Sequence, residues 1–543
     1  MFAAWLSRWL WVGISTAALA ACAATSSSDS PKASGGQGAS SGLGGRGGSG
    51  TVVFPDASTS RERIEVMGPG AAADAASLFK DAEPSGVGPE LVYPATGVVL
   101  PRNMSSLEIH FIPEQGQGQF ELSFLTPTLE LVVYLGCTPL ANGCVYEPGA
   151  EFWGQLADAS AGVGPVEYHL RGINPIAPGA IGQSETRELS FSAEDIVGGL
   201  YYWDASGAIQ RYDFGLPGAG AELFLNAFSG GATTCVGCHA MSPNGRKMVV
   251  GKDIPSPAPY TVFDVATRQP VQSTSGAVTG AGNFFSFSPD GAQLLYSDGN
   301  KIGWRDTTTG NIVNDSVVPL GTMPDWSPNG SQMVYAKPQA SMIFGTPGID
   351  SGSIEVIPFS AGVWGASREL VSASGQNNYY PAFAPDNQWI VFNRSPGNQN
   401  SYDNLGTSGD GELWAVSAAG GSAVRMSVAT EPGACSWPKW APGIHTAHER
   451  PIMYLTFSSS RPYGLRLADG ERVQLWMVAF DPGRATDGQD PSFAAFWLPF
   501  QDISTGNHIA QWVAEVVRRP CTDKGECEVG EECSGGKCLP VIH

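Results

Sequence analysis

Five times between residues 240 and 460 the chain repeats one short pattern: an apolar or aromatic residue, Ser or Ala, Pro, a turn, then a second apolar run. The copies read AMSPNGRKMVV from 240, SFSPDGAQLLY from 286, DWSPNGSQMVY from 325, AFAPDNQWIVF from 382 and KWAPGIHTAHERPIMYLTF from 439. Their turn residues stand at 242, 288, 327, 384 and 441, at intervals of 46, 39, 57 and 57. In the clearest copies Pro presets φ and Gly accepts a positive φ, so each unit predicts two apolar strands joined by a tight turn. A second strand pair follows each copy, as in PYTVFDVATRQPVQ, KIGWRDTTTGNIV, GELWAVSAAGGSAVRMSV and VQLWMVAFDPG. Two plus two strands predict a four-stranded unit, and periods of this size predict a propeller or an array.

Upstream, ELVYPATGVVLPRN, SSLEIHFI, GQFELSFL and LELVVYLGC alternate apolar and polar residues between turn signals, which predicts a small β-sandwich over 90–198. Residues 199–215 (GLYYWDASGAIQRYDFG) read as another strand pair without its first two strands. The stretch FWLPFQDISTGNHIAQWVAEV, 496–516, is its natural complement. A ring closed by a blade built from both chain ends then has about six blades. The blade pattern resembles the TolB-type propeller, a relative of WD40 propellers, over residues 235 to about 500. The resemblance implies that the strand before each Ser-Pro-Asp-Gly turn is innermost and lines a central channel.

Composition fits an all-β, turn-rich protein, with 69 Gly, 40 Pro and only 15% charged residues. The net charge of -21 argues against nucleic acid and anionic membrane surfaces as partners. The N-terminus, MFAAWLSRWLWVGISTAALAAC, has one positive charge, an apolar run and a small-residue end at Cys22. It reads as a secretory signal over 1–22 and resembles a bacterial lipobox, which implies lipidation of Cys22 and tethering to the cell envelope. Residues 23–89 are a Ser/Gly-rich tether followed by a stretch without clear pattern, and membrane association is expected through the lipid alone.

Export makes the ten cysteines a disulfide question. Cys137 and Cys144 flank a short turn and are expected to pair. Cys521, Cys527, Cys533 and Cys538 form a compact tail over 517–543 that resembles small modules held by two disulfides. Cys435 is left over.

The remaining two lie in Cys235-Val-Gly-Cys238-His239, immediately before the first repeated turn. A zinc site needs a second ligand pair, and none is evident nearby. The pentapeptide resembles the attachment motif of c-type cytochromes, which implies thioethers from Cys235 and Cys238 to haem c and His239 as an iron ligand. The helices that flank the motif in a small cytochrome are missing from the pattern, so the propeller must house the haem. Four residues before each turn residue, in register with Cys238, stand Phe284, Met323, Tyr380 and Trp437. They are expected to ring one channel mouth, with the aromatics packing on a porphyrin. Met323, His508, Met241 and Met248 are the candidate sixth ligands. His110 and His169 read as structural, and His445 and His448 as loop residues.

A GxSxG match at 38–42 falls in the tether and carries no hydrolase signal. The reading is therefore an exported, lipid-anchored c-type haem protein on a propeller, moving electrons to a redox partner protein, with no catalytic residue assigned. One alternative is a haem-free envelope scaffold that binds protein or glycan, with Cys235 and Cys238 in a disulfide. Another is a haem-dependent redox enzyme such as a peroxidase.

Overall fold

The computed structural model describes residues 61–104, 106–176, 179–216, 218–232, 236–252, 257–339, 348–399, 401 and 410–541. Cys22 and Cys235 lie outside the described residues.

Six antiparallel sheets of four or five strands form the propeller. Their innermost strands are Val236–Met241, Phe284–Phe287, Thr322–Trp326, Gln376–Phe383 and Ser436–Trp440 in blades one to five, and Asn507–Val513 in the closing blade. The repeated turns explain themselves in hydrogen bonds. The Ser242 hydroxyl accepts from the Lys247 amide (2.8 Å) and donates to Asn244 Oδ1 (2.8 Å), while the Gly245 amide donates to the Ser242 carbonyl (2.8 Å). Ser288 with Asp290 and Ser327 with Asn329 repeat the arrangement. Serine closes the turn, Asp or Asn satisfies the next amide, and Gly245 takes the left-handed φ of 69°.

The closing blade divides differently from the expectation of two strands from each chain end. Gly199–Asp204, Ala208–Asp213 and Glu222–Leu225 supply three strands, and the C-terminal region adds only Asn507–Val513, the innermost. Phe496–Trp497 is instead the outer strand of blade five. A single strand suffices because it pairs with Gly199–Asp204 and carries the buried Trp512 and Val513 into the core.

The sandwich packs an eight-stranded sheet against a four-stranded one. It starts earlier than its alternating pattern indicates, since Glu62–Met67 pairs in parallel with Leu129–Gly136 and Pro84–Val87 pairs with Ile181–Gln183. A helix, Ala150–Ser160, covers the core with Phe152, Trp153 and Leu156. One apolar core runs from the sandwich into blades four and five. His110, buried on a sandwich strand, accepts from the Leu465 amide of blade five at Nδ1 (3.1 Å) and meets Glu108 at Nε2 (2.7 Å). Tyr463 stacks on Trp497 with ring centroids 4.3 Å apart, and the Trp497 amide donates to Tyr93 Oη (3.0 Å).

Cys137 bridges to Cys144, Cys521 to Cys533 and Cys527 to Cys538. The tail docks on the closing blade and blade one through Arg518 with Asp213 and Glu222, and Arg268 with Glu528. Among the described residues no helix is long and apolar enough to cross a membrane.

Candidate functional site

The innermost strands do not run straight. In blades one, three, four and five the ladder slips at a bulge, between Gly237 and Ala240, Thr322 and Asp325, Tyr379 and Ala382, and Ser436 and Lys439. The closing strand slips likewise opposite Tyr201–Trp203. At each bulge one residue takes a left-handed φ: Cys238 (44°), Met323 (53°), Tyr380 (49°), Trp437 (53°) and Ile509 (56°). None is glycine, and for β-branched Ile509 the conformation is strongly unfavourable. Bulges of this kind re-aim side chains and gather at functional sites. Blade two alone keeps a regular ladder at this level, with Phe284 paired to Ser297.

The bulge also accounts for the prolines. Residues 324, 381 and 438 lie inside the unpaired step, where no amide hydrogen is required of the strand. His239 holds the same place in blade one, and its Nε2 meets the Tyr201 carbonyl of the closing blade at 3.2 Å. Two residues past the bulge position the strands carry a polar layer. Lys439 of blade five reaches across the channel to Asp325 of blade three (3.0 Å), and Asp325 also accepts from the Phe383 amide of blade four (2.8 Å). Sequence reasoning missed this pair, although a Lys and an Asp at one repeat position in otherwise apolar strands were a readable signal.

Above that layer lies a recess lined by Cys238, His239, Phe284, Met323, Tyr380 and Trp437 among others, with ≈ 440 Å³ of empty space counted out to its open mouth. The sequence-predicted ring is thus assembled. Its aromatics pack on one another: Tyr380 stacks on Trp437 at 4.1 Å, and Phe284 lies 5.8 Å from Trp437 and 6.1 Å from Tyr380. They close the floor, so a planar group has room only on the mouth side.

Five histidine ring nitrogens are buried without a hydrogen-bond partner among the described residues, two of them on His445 away from the recess and three near it. Those three are His239 Nδ1 and both nitrogens of His508. Buried polar atoms are rarely left so, and each such atom calls for an explanation. Burial pulls His239 down to about 4. Burial and the neighbouring His239 pull His508 down to about 3, so both imidazoles are neutral at neutral pH. Cys238 carries a free thiol, which corrects the expectation that it is half of a disulfide in the haem-free alternative. It packs against the apolar cluster between blades one and two, and burial pushes its thiol up to about 11. A thiol held that high is no thiolate nucleophile at neutral pH.

Other candidates fall elsewhere. Met241 and Met248 belong to the core between the closing blade and blade one and do not line the recess, because they stand past the bulge and on the second strand. Cys435 is buried away from it, accepting from Arg461 Nη2 at 3.0 Å. His445 is not a loop residue: it sits in the short strand His445–Ala447, buried against Tyr454. His169 lies on Val166–Ile173 in the sandwich.

The donor set suits a covalently attached haem: a free thiol, a neutral imidazole with an unpartnered nitrogen, and aromatic walls. His239 has Nε2 on the Tyr201 carbonyl, which leaves Nδ1 as the nitrogen open to a metal.

No family model and no curated protein sequence matches the chain. Among solved structures it is similar to TolB from Acinetobacter baumannii, with 10% identity over 83% of this chain and 96% of that one and a TM-score of 0.38. It is also similar to the β-propeller domain of the Trilobed protease from Pyrococcus furiosus, with 12% identity over 58% and 78% and a TM-score of 0.28. A Mycobacterium tuberculosis puromycin-hydrolysing peptidase gives 12% identity over 66% and 54% and a TM-score of 0.30. These are likenesses of fold alone; the propeller itself is read from the order of its own strands.

Proposed function

We propose that the protein is an exported, lipid-tethered electron-transfer protein that carries one covalently attached c-type haem at the mouth of its propeller channel. The observation that carries this reading is the junction of motif and architecture. The Cys238-His239 end of the pentapeptide lies in a bulge that opens on the recess, with a free thiol and an unpartnered imidazole nitrogen.

Cys235 and Cys238 would hold the porphyrin through thioethers, and His239 would ligate the iron. When bound, the haem supplies one-electron redox chemistry. The chain's own contribution is to fix the imidazole on the Tyr201 carbonyl, keep it neutral by burial and present aromatic rings on one side. Three disulfides among the described residues agree with an oxidising compartment, where such haems are attached. Cys22 would provide the tether.

The test is expression of the full chain with the haem-attachment machinery, followed by pyridine haemochrome spectra. The expected result is a covalent c-type signal in the wild type that is altered in Cys238→Ser and lost in the Cys235→Ser/Cys238→Ser double variant. A wild type with no covalent haem overturns the reading. One observation favours a second reading, a haem-free binding scaffold: the mutual packing of Phe284, Tyr380 and Trp437 already closes the channel floor.

A further inference from the structure

We infer that His508 is the second protein ligand of the iron, making the site bis-histidine and the protein an electron carrier rather than a ligand-binding haem enzyme. The inference rests on the haem reading above and narrows the four sequence candidates to one.

Met241 and Met248 are enclosed in the core between the closing blade and blade one. Met323 reaches the recess, but its sulfur already accepts from the Tyr380 amide (3.4 Å) and it is packed among the apolar side chains of blades three and four. His508 differs on each count. It is 6% exposed, and both ring nitrogens lack a hydrogen-bond partner among the described residues. Its ring stands edge-on to Trp437, a recess residue, at 6.0 Å.

The backbone explains how it meets His239. His508 pairs across the sheet with Trp203, and His239 makes its hydrogen bond to the carbonyl of Tyr201 on that same strand. The innermost strands of blade one and the closing blade pack together, and both residues are tied to one short segment, Tyr201–Trp203, His239 through its ring and His508 through its backbone. Ile509, held at a φ of 56°, follows immediately and sets the bulge beside His508. Two buried imidazoles with three nitrogens lacking a hydrogen-bond partner among the described residues, one lining the recess and the other edge-on to the recess residue Trp437, form a candidate ligand pair. Ligation of the iron by both rings would explain the missing partners.

Optical and electron paramagnetic resonance spectra of the holoprotein test this, with the midpoint potential as a second readout. The wild type is expected to be six-coordinate and low-spin in both oxidation states. His508→Ala should become high-spin while retaining its covalent haem, and added imidazole should restore the low-spin spectrum. His508→Met keeps a ligand and a filled site should the alanine variant not fold; it should stay low-spin with a more positive potential, since methionine ligation raises it. Met323→Leu should stay six-coordinate and low-spin. A low-spin His508→Ala spectrum, a high-spin wild type, or loss of the low-spin signal in Met323→Leu overturns the assignment of His508. Absence of covalent haem from the wild type overturns the haem reading itself, and the haemochrome assay separates that failure from the others.

Discussion

At the bulge level Pro follows three of the five left-handed residues, and the departures are Cys238, followed by His239, and Ile509, followed by Ala510. Where three blades place Pro after the left-handed residue, blade one places His239, and the closing blade places His508 just before its own left-handed Ile509. Register with Cys238 was enough to find Phe284, Met323, Tyr380 and Trp437 from the sequence. It could not find Ile509, because the closing strand lacks the Ser-Pro-Asp-Gly turn that anchors the alignment. Nor could it show that three side chains would be packed on each other, which depends on rotamers at a bulge. A buried histidine away from the site gives a prediction of its own. Burial lowers the pKa of His445, whereas in the unfolded chain it titrates near about 6.5. The unfolded state therefore binds more protons as pH falls, and the stability tied to the neutral ring is present above ~6.5 and lost below it. In chemical denaturation between pH 7 and pH 5, the wild type should lose stability more steeply than His445→Gln; parallel curves would contradict this.

At the scale of elements, the closing blade is the weak seam, because three of its strands precede the ring and one follows it. That one strand is fastened by Trp512, whose indole donates to Thr456 Oγ1 (3.0 Å) and stacks with Phe214 at 5.2 Å. Trp512→Ala should cost ~3–5 kcal/mol, the range for emptying a buried aromatic site, as read from urea denaturation. A cost under about 1 kcal/mol would mean that the ring is closed by something else. The arginines behind the seam add to it. Arg518 is almost fully buried and pairs with Asp213 (3.0 Å) and Glu222 (2.8 Å). Arg518→Ala leaves Asp213 without its cation, while Glu222 keeps Arg211 (2.9 Å), and should cost about 3 kcal/mol. Restoration by Arg518→Lys to within 1 kcal/mol would argue against the forked geometry that guanidinium supplies. The division of three strands and one was not legible, since 496–516 contains two apolar stretches and only pairing decides which one closes the ring.

Across the whole molecule, the sandwich is part of the propeller's support. The blades were legible because each carries its own turn chemistry within about fifty residues. The sandwich boundary was not, because Glu62–Met67 finds its partner strand more than sixty residues away, a pairing that the local pattern around ERIEVM does not carry. The interface rests on His110, Glu108 and Arg466, over a continuous apolar core. Calorimetry of the full chain should therefore show one unfolding transition, and His110→Ala should split it into two. Two transitions already present in the wild type would show that the units unfold independently.

The central claim is that the pentapeptide carries a haem. Intact mass of the protein made with the haem-attachment machinery, followed by peptide mapping, tests it most directly. The account predicts a mass increase of a single haem, located on the peptide that contains Cys235, Cys238 and His239. An unmodified peptide with a free Cys238 thiol would contradict it.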